Sequence, residues 1–394
     1  MEPWRKNLFT VWGAQFIAGV GLSMVVPFLP LYLRDLGVIE DQPIKIWTGV
    51  VFAAAFLVSA FMQPLWGILG DRIGRKPMIV RAMIGLSIAH ILMGFAQSPV
   101  HLLLGRLLQG CLAGFLAPSM ALVVASTPKD KTGFALGTLQ SAIISGTILG
   151  PFAGGVLIHY IGARPIFFLT GVLCFSGALV VLRFVRETFN PGKGRQKSEL
   201  RRNLQSVFYS PRLRSLFLLL LLVQFSIHFV APFLTLYVEF LGVPQEYVGL
   251  VSGAVFGVTG ITSALTAPFW GRRADRAGYG RVLRMTLFGM IAFLAPQAFV
   301  GNVWHLIVCR AGLGLFVSGT VPIINSIVRL STKESEQGGI YGIFQSGFLI
   351  GNMLGPLVGG GLAAIFGLRM IFLVTAGFLC IGPLLERTVS SKPV

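Results

Sequence analysis

The chain carries the hexapeptide PFLPLY at residues 27–32 and PFLTLY at residues 232–237, an offset of 205. Outward from this pair, five more landmarks return at an offset of 204 or 205, which is hard to obtain by chance. They are PLWG at 64–67 and PFWG at 268–271, Arg106 and Arg310, Gln140-Ser141 and Gln345-Ser346, GPxxGG at 150–155 and 355–360, and RxIF at 164–167 and 369–372. The chain is therefore built from two copies of one unit, and this repeat decides the fold.

The composition places both copies in a membrane. Of the 394 residues, 54% are hydrophobic and 12% are charged, whereas a soluble domain carries about 25% charged residues. Apolar runs between polar breaks predict twelve helices, each long enough for the ~20 residues that cross a bilayer. The predicted ranges are about 8–33, 44–66, 77–96, 100–125, 133–160, 164–185, 214–239, 246–270, 281–300, 303–327, 338–363 and 366–385. No room is left for a large soluble domain, which argues against an ordinary cytosolic enzyme.

The longest polar gap divides the twelve helices into six and six. It is basic and begins with Pro191, Gly192 and Gly194, which form helix poorly. We predict an N-terminal six-helix bundle at 1–185, a cytoplasmic linker at 186–213 and a C-terminal six-helix bundle at 214–394. An even number of helices per copy makes the repeats parallel, as in transporters whose halves rock around a site near the bilayer midplane. The predicted fold class is an all-α membrane protein.

The positive charge is distributed by membrane side. The chain has 32 Lys and Arg residues against 14 Asp and Glu residues, a net charge of +18. With a cytoplasmic N-terminus, 26 of the basic residues lie on the cytoplasmic side, four lie on the other side, and Arg106 and Arg310 lie within helices. This bias follows the positive-inside rule and predicts two cytoplasmic termini in a multi-pass protein of the cell (plasma or inner) membrane. The basic faces are expected to contact membrane lipids rather than nucleic acid.

A glycine-flanked acidic and basic segment, GILGDRIGRK at 67–76, follows the second predicted helix, and a shorter copy, GRRADRAG, lies at 271–278. Any cytoplasmic loop would carry basic residues, but that rule does not explain the repeated glycines and aspartate. Gly67 would let two helices approach closely, and the Asp71 carboxylate could meet a helix N-terminus or a cation. The segment therefore predicts a conformational latch. Its residues would be Gly67, Asp71, Arg72, Gly74, Arg75 and Lys76.

The fourth and fifth predicted helices each carry a further pattern. An arginine inside a spanning helix, such as Arg106, costs about 2.5–3.5 kcal/mol on insertion scales. Arg106 either extends toward the outer end of its helix or faces the interior together with Gln109, and its repeat at Arg310 favours the interior. The fifth helix presents a stripe of small residues with one proline, which favours close packing and a bend. The stripe consists of Gly146, Gly150, Pro151, Gly154 and Gly155.

Together these motifs resemble the major facilitator superfamily along nearly the whole chain. GDRxGRK resembles motif A, RLLQGxxxG resembles motif B, and GxxxGPxxGG resembles motif C, the antiporter motif of drug/proton exchangers. PFLPLY, ALGTLQS and RPIFFLT are similar to segments of the MdtG-type multidrug exporters, in the twelve-helix drug/proton antiporter group. The resemblance implies the major facilitator fold, a cavity lined by helices 1, 4, 7 and 10, and a latch partner near Gly338 and Gly339. It also implies proton-driven efflux of lipophilic, often cationic compounds by alternating access.

The acidic residues depart from many such exporters, because all fourteen lie at helix ends or in loops. The lack of a mid-helix carboxylate disfavours strictly cationic substrates and favours neutral, zwitterionic or anionic lipophiles. Proton coupling would then depend on Asp35, Asp71 and Arg106, with His228 as a possible substitute. His228 is the mid-helix group whose ordinary pKa lies near neutrality, although a lone histidine on an apolar helix is more often structural.

Polar and aromatic residues on the cavity helices, and on the two helices that flank them, are the candidates for substrate contact. Each of them could equally serve helix packing. The candidates are Gln15, Phe28, Gln109, Gln140, Gln224, Phe229, Asn325 and Gln345.

No Walker motif, nucleophile–base arrangement or metal-ligand spacing among the four cysteines is visible, which predicts no enzyme, no cofactor and no metal. We expect a monomer whose partners are a lipophilic small-molecule substrate, protons and membrane lipids. Two alternatives to a multidrug exporter stay open. One is a transporter of a single metabolite, such as a sugar, an amino acid derivative or a siderophore. The other is a non-transporting receptor or lipid-handling protein on the same fold.

Overall fold

A computed structural model of the chain describes residues 2–187, 200–333 and 336–390. These residues form seventeen α-helices and no strand. The helices are α1 Pro3–Val25, α2 Leu29–Asp35, α3 Asp41–Ile73, α4 Arg75–Gly94, α5 Pro99–Leu112, α6 Leu116–Ser126, α7 Thr132–Ile161, α8 Ala163–Phe184, α9 Leu200–Tyr209, α10 Pro211–Val230, α11 Leu234–Phe240, α12 Gln245–Ala277, α13 Tyr279–Leu294, α14 Val303–Leu330, α15 Gln337–Phe366, α16 Leu368–Leu379 and α17 Gly382–Ser390.

Twelve stretches of the described chain are long and apolar enough to cross a membrane. Four of these spans join two helices each, namely α1–α2, α5–α6, α10–α11 and α16–α17. The predicted all-α fold with twelve spanning helices is therefore confirmed. Sequence signals explain several helix boundaries: Ser98 caps α5, Asn302 caps α14, and glycines at positive φ separate α7 from α8 and α15 from α16.

The chain forms two compact units, which consist of Met1–Ile39 with Ala54–Gln196, and Glu40–Ala53 with Lys197–Val394. In the first unit α1 packs against α7 and α8, and α4 packs against α8. In the second unit α10 packs against α15, and α14 packs against α12 and α13. The first part of α3 belongs to the second unit although the chain continues as one helix into the first.

The repeat is preserved at the level of single hydrogen bonds. The Tyr32 hydroxyl donates to the Met93 carbonyl at 2.7 Å, and the Tyr237 hydroxyl donates to the Gln297 carbonyl at 2.6 Å. In each copy this bond joins the end of the first span to the end of the third. Two further pairs of equivalent bonds join the second span to the fourth in each copy. They are Ser59 to Gly110, Ser263 to Gly314, Trp66 to Cys111 and Trp270 to Leu315.

The segment predicted only as a linker contains the amphipathic helix α9. Its buried residues Asn203 and Val207 dock it in the second unit, where the Asn203 side chain fills the space beside Gly339. On another face, the Phe208 ring meets the Phe217 ring edge-on with centroids 5.5 Å apart. The helix was missed because ten residues of mixed polar and apolar type resemble a solvated connection when the surface that they pack against is unknown.

Candidate functional site

The latch segment spans the end of α3 and the start of α4, and the Asp71 side chain lies outside the described residues. Gly74 separates the two helices with φ at 101°, a conformation that favours glycine. A Cβ at Gly67 would meet nothing within 4 Å, so no described helix closely approaches this glycine. The arginine at position 72 is exposed.

A carboxylate that was not predicted binds the first turn of α4. Glu187 accepts hydrogen bonds from the backbone N–H groups of Arg75 and Lys76, both at 2.8 Å, and the Lys76 ammonium donates to the Val185 carbonyl at 2.7 Å. Free N–H groups at a helix N-terminus attract an anion. The latch segment is thus joined to the end of the sixth span. The signal in the sequence was an acidic residue at the start of a mostly basic stretch.

Arg106 is buried in the first unit with 2% of its surface exposed. Its guanidinium donates to Gln109 Oε1 at 2.7 Å, which directs it along α5 away from the start of that helix. The buried His90 ring lies within electrostatic range of this guanidinium. The arginine therefore has polar neighbours inside the bundle.

Arg310 occupies the equivalent position in α14 and is also buried, at 6% exposure. Its Nε and Nη2 atoms are enclosed and have no hydrogen-bond acceptor among the described residues. At the repeat offset of 204, Leu313 replaces Gln109 and Leu294 replaces His90, and both leucines are buried. The C-terminal copy thus keeps the buried cation without the polar neighbours of the N-terminal copy.

The fourth span is interrupted between α5 and α6, where Gly114 has φ at 111°. The Arg81 guanidinium lies 3.6 Å from the centroid of the Trp66 ring and donates to the freed Ala113 carbonyl at 3.3 Å. Irregular backbone inside a membrane requires such internal partners. The equivalent α14 is continuous through this region, so the interruption distinguishes the two copies.

The predicted antiporter stripe forms the contact between α7 and α1. A Cβ at Gly146 would approach the Val20 nitrogen at 2.9 Å, and one at Gly150 would overlap Ser23 Oγ. Ser23 also donates to the Gly146 carbonyl at 2.9 Å. In the same helix Pro151, Gly154 and Gly155 are buried. The glycines at 351, 355 and 359 make the matching approach of α15 to α10.

The remaining predicted residues are distributed over both units. Gln15 is buried and both polar atoms of its amide have no hydrogen-bond partner among the described residues, whereas Asp35 is exposed near Arg164. His228 Nδ1 lies 3.1 Å from the Gln224 carbonyl, and its ring centroid is 6.0 Å from that of Phe52. The others divide by burial: Phe28, Gln224 and Phe229 are buried, Gln109 and Asn325 are half-buried, and Gln140 and Gln345 are exposed.

Comparison with known proteins places this geometry in a family. The model of the Major Facilitator Superfamily matches residues 11–264 and 216–392, which together include both repeats. The chain belongs to the Major Facilitator Superfamily. Relatives within it include the multidrug resistance protein MdtG of Salmonella arizonae and that of Salmonella typhimurium. Each is 38% identical over 375 residues, covering 95% of this chain and 93% of the relative.

Solved structures of the superfamily share the fold at lower identity. The nucleoside transporter NupG aligns with a TM-score of 0.80 at 14% identity, covering all of both chains. The human organic anion transporter TETRAN aligns with a TM-score of 0.70 at 18% identity, covering 98% of this chain and all of that one. A bacterial homologue of the lysosomal transporter Spinster gives 0.76 at 18% identity over both complete chains. These likenesses concern the fold alone.

The recognition made from the motifs is confirmed, including the similarity to MdtG. Membership of the superfamily and twelve candidate spans make the chain a multi-pass membrane protein. The cytoplasmic position of the termini and the roles assigned to individual residues stay predictions. Sequence reasoning missed Glu187 and the contact of Arg81 with Trp66, although the return of Trp66 as Trp270 had marked that tryptophan as part of the repeat.

Proposed function

We propose that the chain is a secondary transporter that exports lipophilic small molecules by proton antiport with alternating access. The observation that carries this proposal is 38% identity to multidrug resistance proteins over nearly the full length of both chains. The close packing of the antiporter stripe against α1 supports it, because that stripe is the motif by which exchangers of this superfamily are recognised. The same identity argues against catalysis, and we propose a monomer without a cofactor.

Proton coupling in this proposal uses Asp35, Asp71 and Arg106, with His228 as the substitute. A proton driver requires a titratable group whose surroundings change between conformations. The exposed Asp35 carboxylate near Arg164 is placed to exchange protons with solvent. The buried pair of Arg106 and Gln109 supplies a fixed charge inside the bundle. Asp71, with the rest of the latch segment, would stabilise one conformer.

The test is transport against a gradient, with a panel of unrelated lipophiles. In cells that lack other pumps, expression should raise resistance to several of them, and vesicles with an imposed pH gradient should concentrate the same compounds. Asp35→Asn should abolish gradient-driven uptake while downhill equilibration continues. Resistance to none, with accumulation of one native metabolite on deletion, would favour the single-metabolite transporter instead. Equal substrate uptake by the unmodified protein with and without a pH gradient would refute antiport.

A further inference from the structure

Arg310 is a buried cation for which the described protein supplies no acceptor. It lies seven residues after the first residue of α14, about 10 Å along the helix axis at 1.5 Å per residue. Its Nε and Nη2 atoms are enclosed without a hydrogen bond. A desolvated charge without a partner is unfavourable in a protein interior, and more so within a membrane-spanning helix. Such a site favours any anion that can reach it.

No acid among the described residues of the second unit pairs with Arg310. Ion pairs among the described residues of this unit join other cations, namely Lys45 with Asp41, Arg202 with Glu336 and Arg284 with Glu386. The Glu386 carboxylate, fully buried in this unit, is already paired with Arg284 at 2.6 Å. The described residues therefore leave these two atoms of Arg310 without an acceptor.

The two copies of the repeat differ in one decisive respect. Arg106 donates to Gln109 at 2.7 Å, so part of its hydrogen-bonding capacity is used within its own helix. In the other copy Leu313 stands at the glutamine position, and the guanidinium keeps its donors. A guanidinium presents parallel N–H groups that match the two oxygens of a carboxylate or a phosphoryl group. The C-terminal copy therefore has the chemistry of an anion receptor.

We propose that Arg310 binds the anionic group of an amphiphilic substrate, a carboxylate or phosphoryl group attached to an apolar body. This inference rests on the proposed export function and assigns one residue of its substrate site. Arg310 is 94% covered inside a helical bundle, which favours a transported molecule over the headgroup of a surrounding lipid. The apolar residues at 294 and 313 would receive the part of the molecule next to the anion.

The experiment measures binding rather than transport, on the purified full-length chain in neutral detergent. The probes are 1-pyrenebutyrate and its uncharged carboxamide, followed by energy transfer from tryptophan. The unmodified protein should bind the carboxylate about tenfold more tightly than the amide, equivalent to ~1.4 kcal/mol. Arg310→Gln should remove this preference and leave amide binding unchanged. Arg281→Gln removes an exposed arginine of the same unit and serves as the matched control.

A second variant, Leu313→Gln, leaves Arg310 in place and therefore tests the proposal without removing a buried cation. The new glutamine should supply the acceptor that Arg106 has in the other copy, and should thereby weaken carboxylate binding. An unchanged carboxylate preference in Arg310→Gln, or no preference in the unmodified protein, would overturn the inference. Displacement of the probe by phosphatidylglycerol would also overturn it, because the ligand would then be a lipid. Failure of the unmodified protein to bind either probe would instead contradict the proposed function.

Discussion

At the scale of single residues, the hydrogen bond between Arg106 and Gln109 explains how a cation is tolerated inside the first unit. Gln109→Leu removes one acceptor from a buried guanidinium, which typically costs about 1–3 kcal/mol of unfolding free energy. We expect a lower unfolding temperature in detergent, while Gln109→Glu keeps an acceptor oxygen and should stay near the unmodified value. Equal unfolding temperatures for Gln109→Leu and the unmodified chain would show that this bond does not stabilise the unit.

The sequence alone identified Arg106 and Gln109 as a pair, because residues three positions apart lie on the same face of a helix. It did not reveal that two guanidinium atoms of Arg310 have no acceptor among the described residues. That difference depends on Leu313 and Leu294, which are ordinary apolar residues in the sequence and become informative only by comparison with the other copy. Likewise, Glu187 acquires its role only when the chain brings the end of α8 to the start of α4.

At the scale of elements, the contact between α1 and α7 depends on the absence of side chains. A Cβ at Gly150 would overlap Ser23 Oγ and lie 2.6 Å from the Val20 carbonyl oxygen. Gly150→Ala should therefore force the helices apart at a cost of about 1–3 kcal/mol, and Gly150→Leu should abolish transport. The measurements are the unfolding temperature in detergent and the rate of efflux at equal amounts of each variant in the membrane.

Gly137 provides the matched control on the same helix, because a Cβ there would meet nothing within 4 Å. Gly137→Ala should therefore leave both quantities unchanged.

The small-residue stripe was predicted from its spacing, but the helix that it packs against was not. Neither the interruption of the fourth span nor α9 was predicted. The interruption was missed because Ala113–Phe115 contains one glycine in an apolar run and resembles many continuous helices. Tertiary contacts from Arg81 and Trp66 decide that conformation.

At the scale of the whole molecule, the apolar runs predicted the number of spans, and the repeat predicted two copies of one unit, because a constant offset is independent of the exact helix ends. It carried no information on which unit each part of a helix joins. The start of α3 belongs to the second unit because of individual side-chain and backbone contacts, which the repeat offset does not predict. A Cβ at Gly49 would overlap the Pro356 carbonyl oxygen, and the Phe52 ring lies near His228.

The close approach at Gly49 predicts that this part of α3 is stabilised by α15. Gly49→Ala should displace the helix start, because the backbone carbonyl of Pro356 cannot move aside as a flexible side chain could. We expect faster amide hydrogen exchange in residues 41–53 and 356–360 and unchanged exchange in the α1 segment 11–25. The control is Gly361→Ala, next to Gly360, where an added Cβ would meet nothing within 4 Å. If exchange in residues 41–53 stayed at the unmodified rate in Gly49→Ala, α15 would not be what stabilises this part of α3. Faster exchange confined to those segments would show that one continuous helix contributes separately to two units.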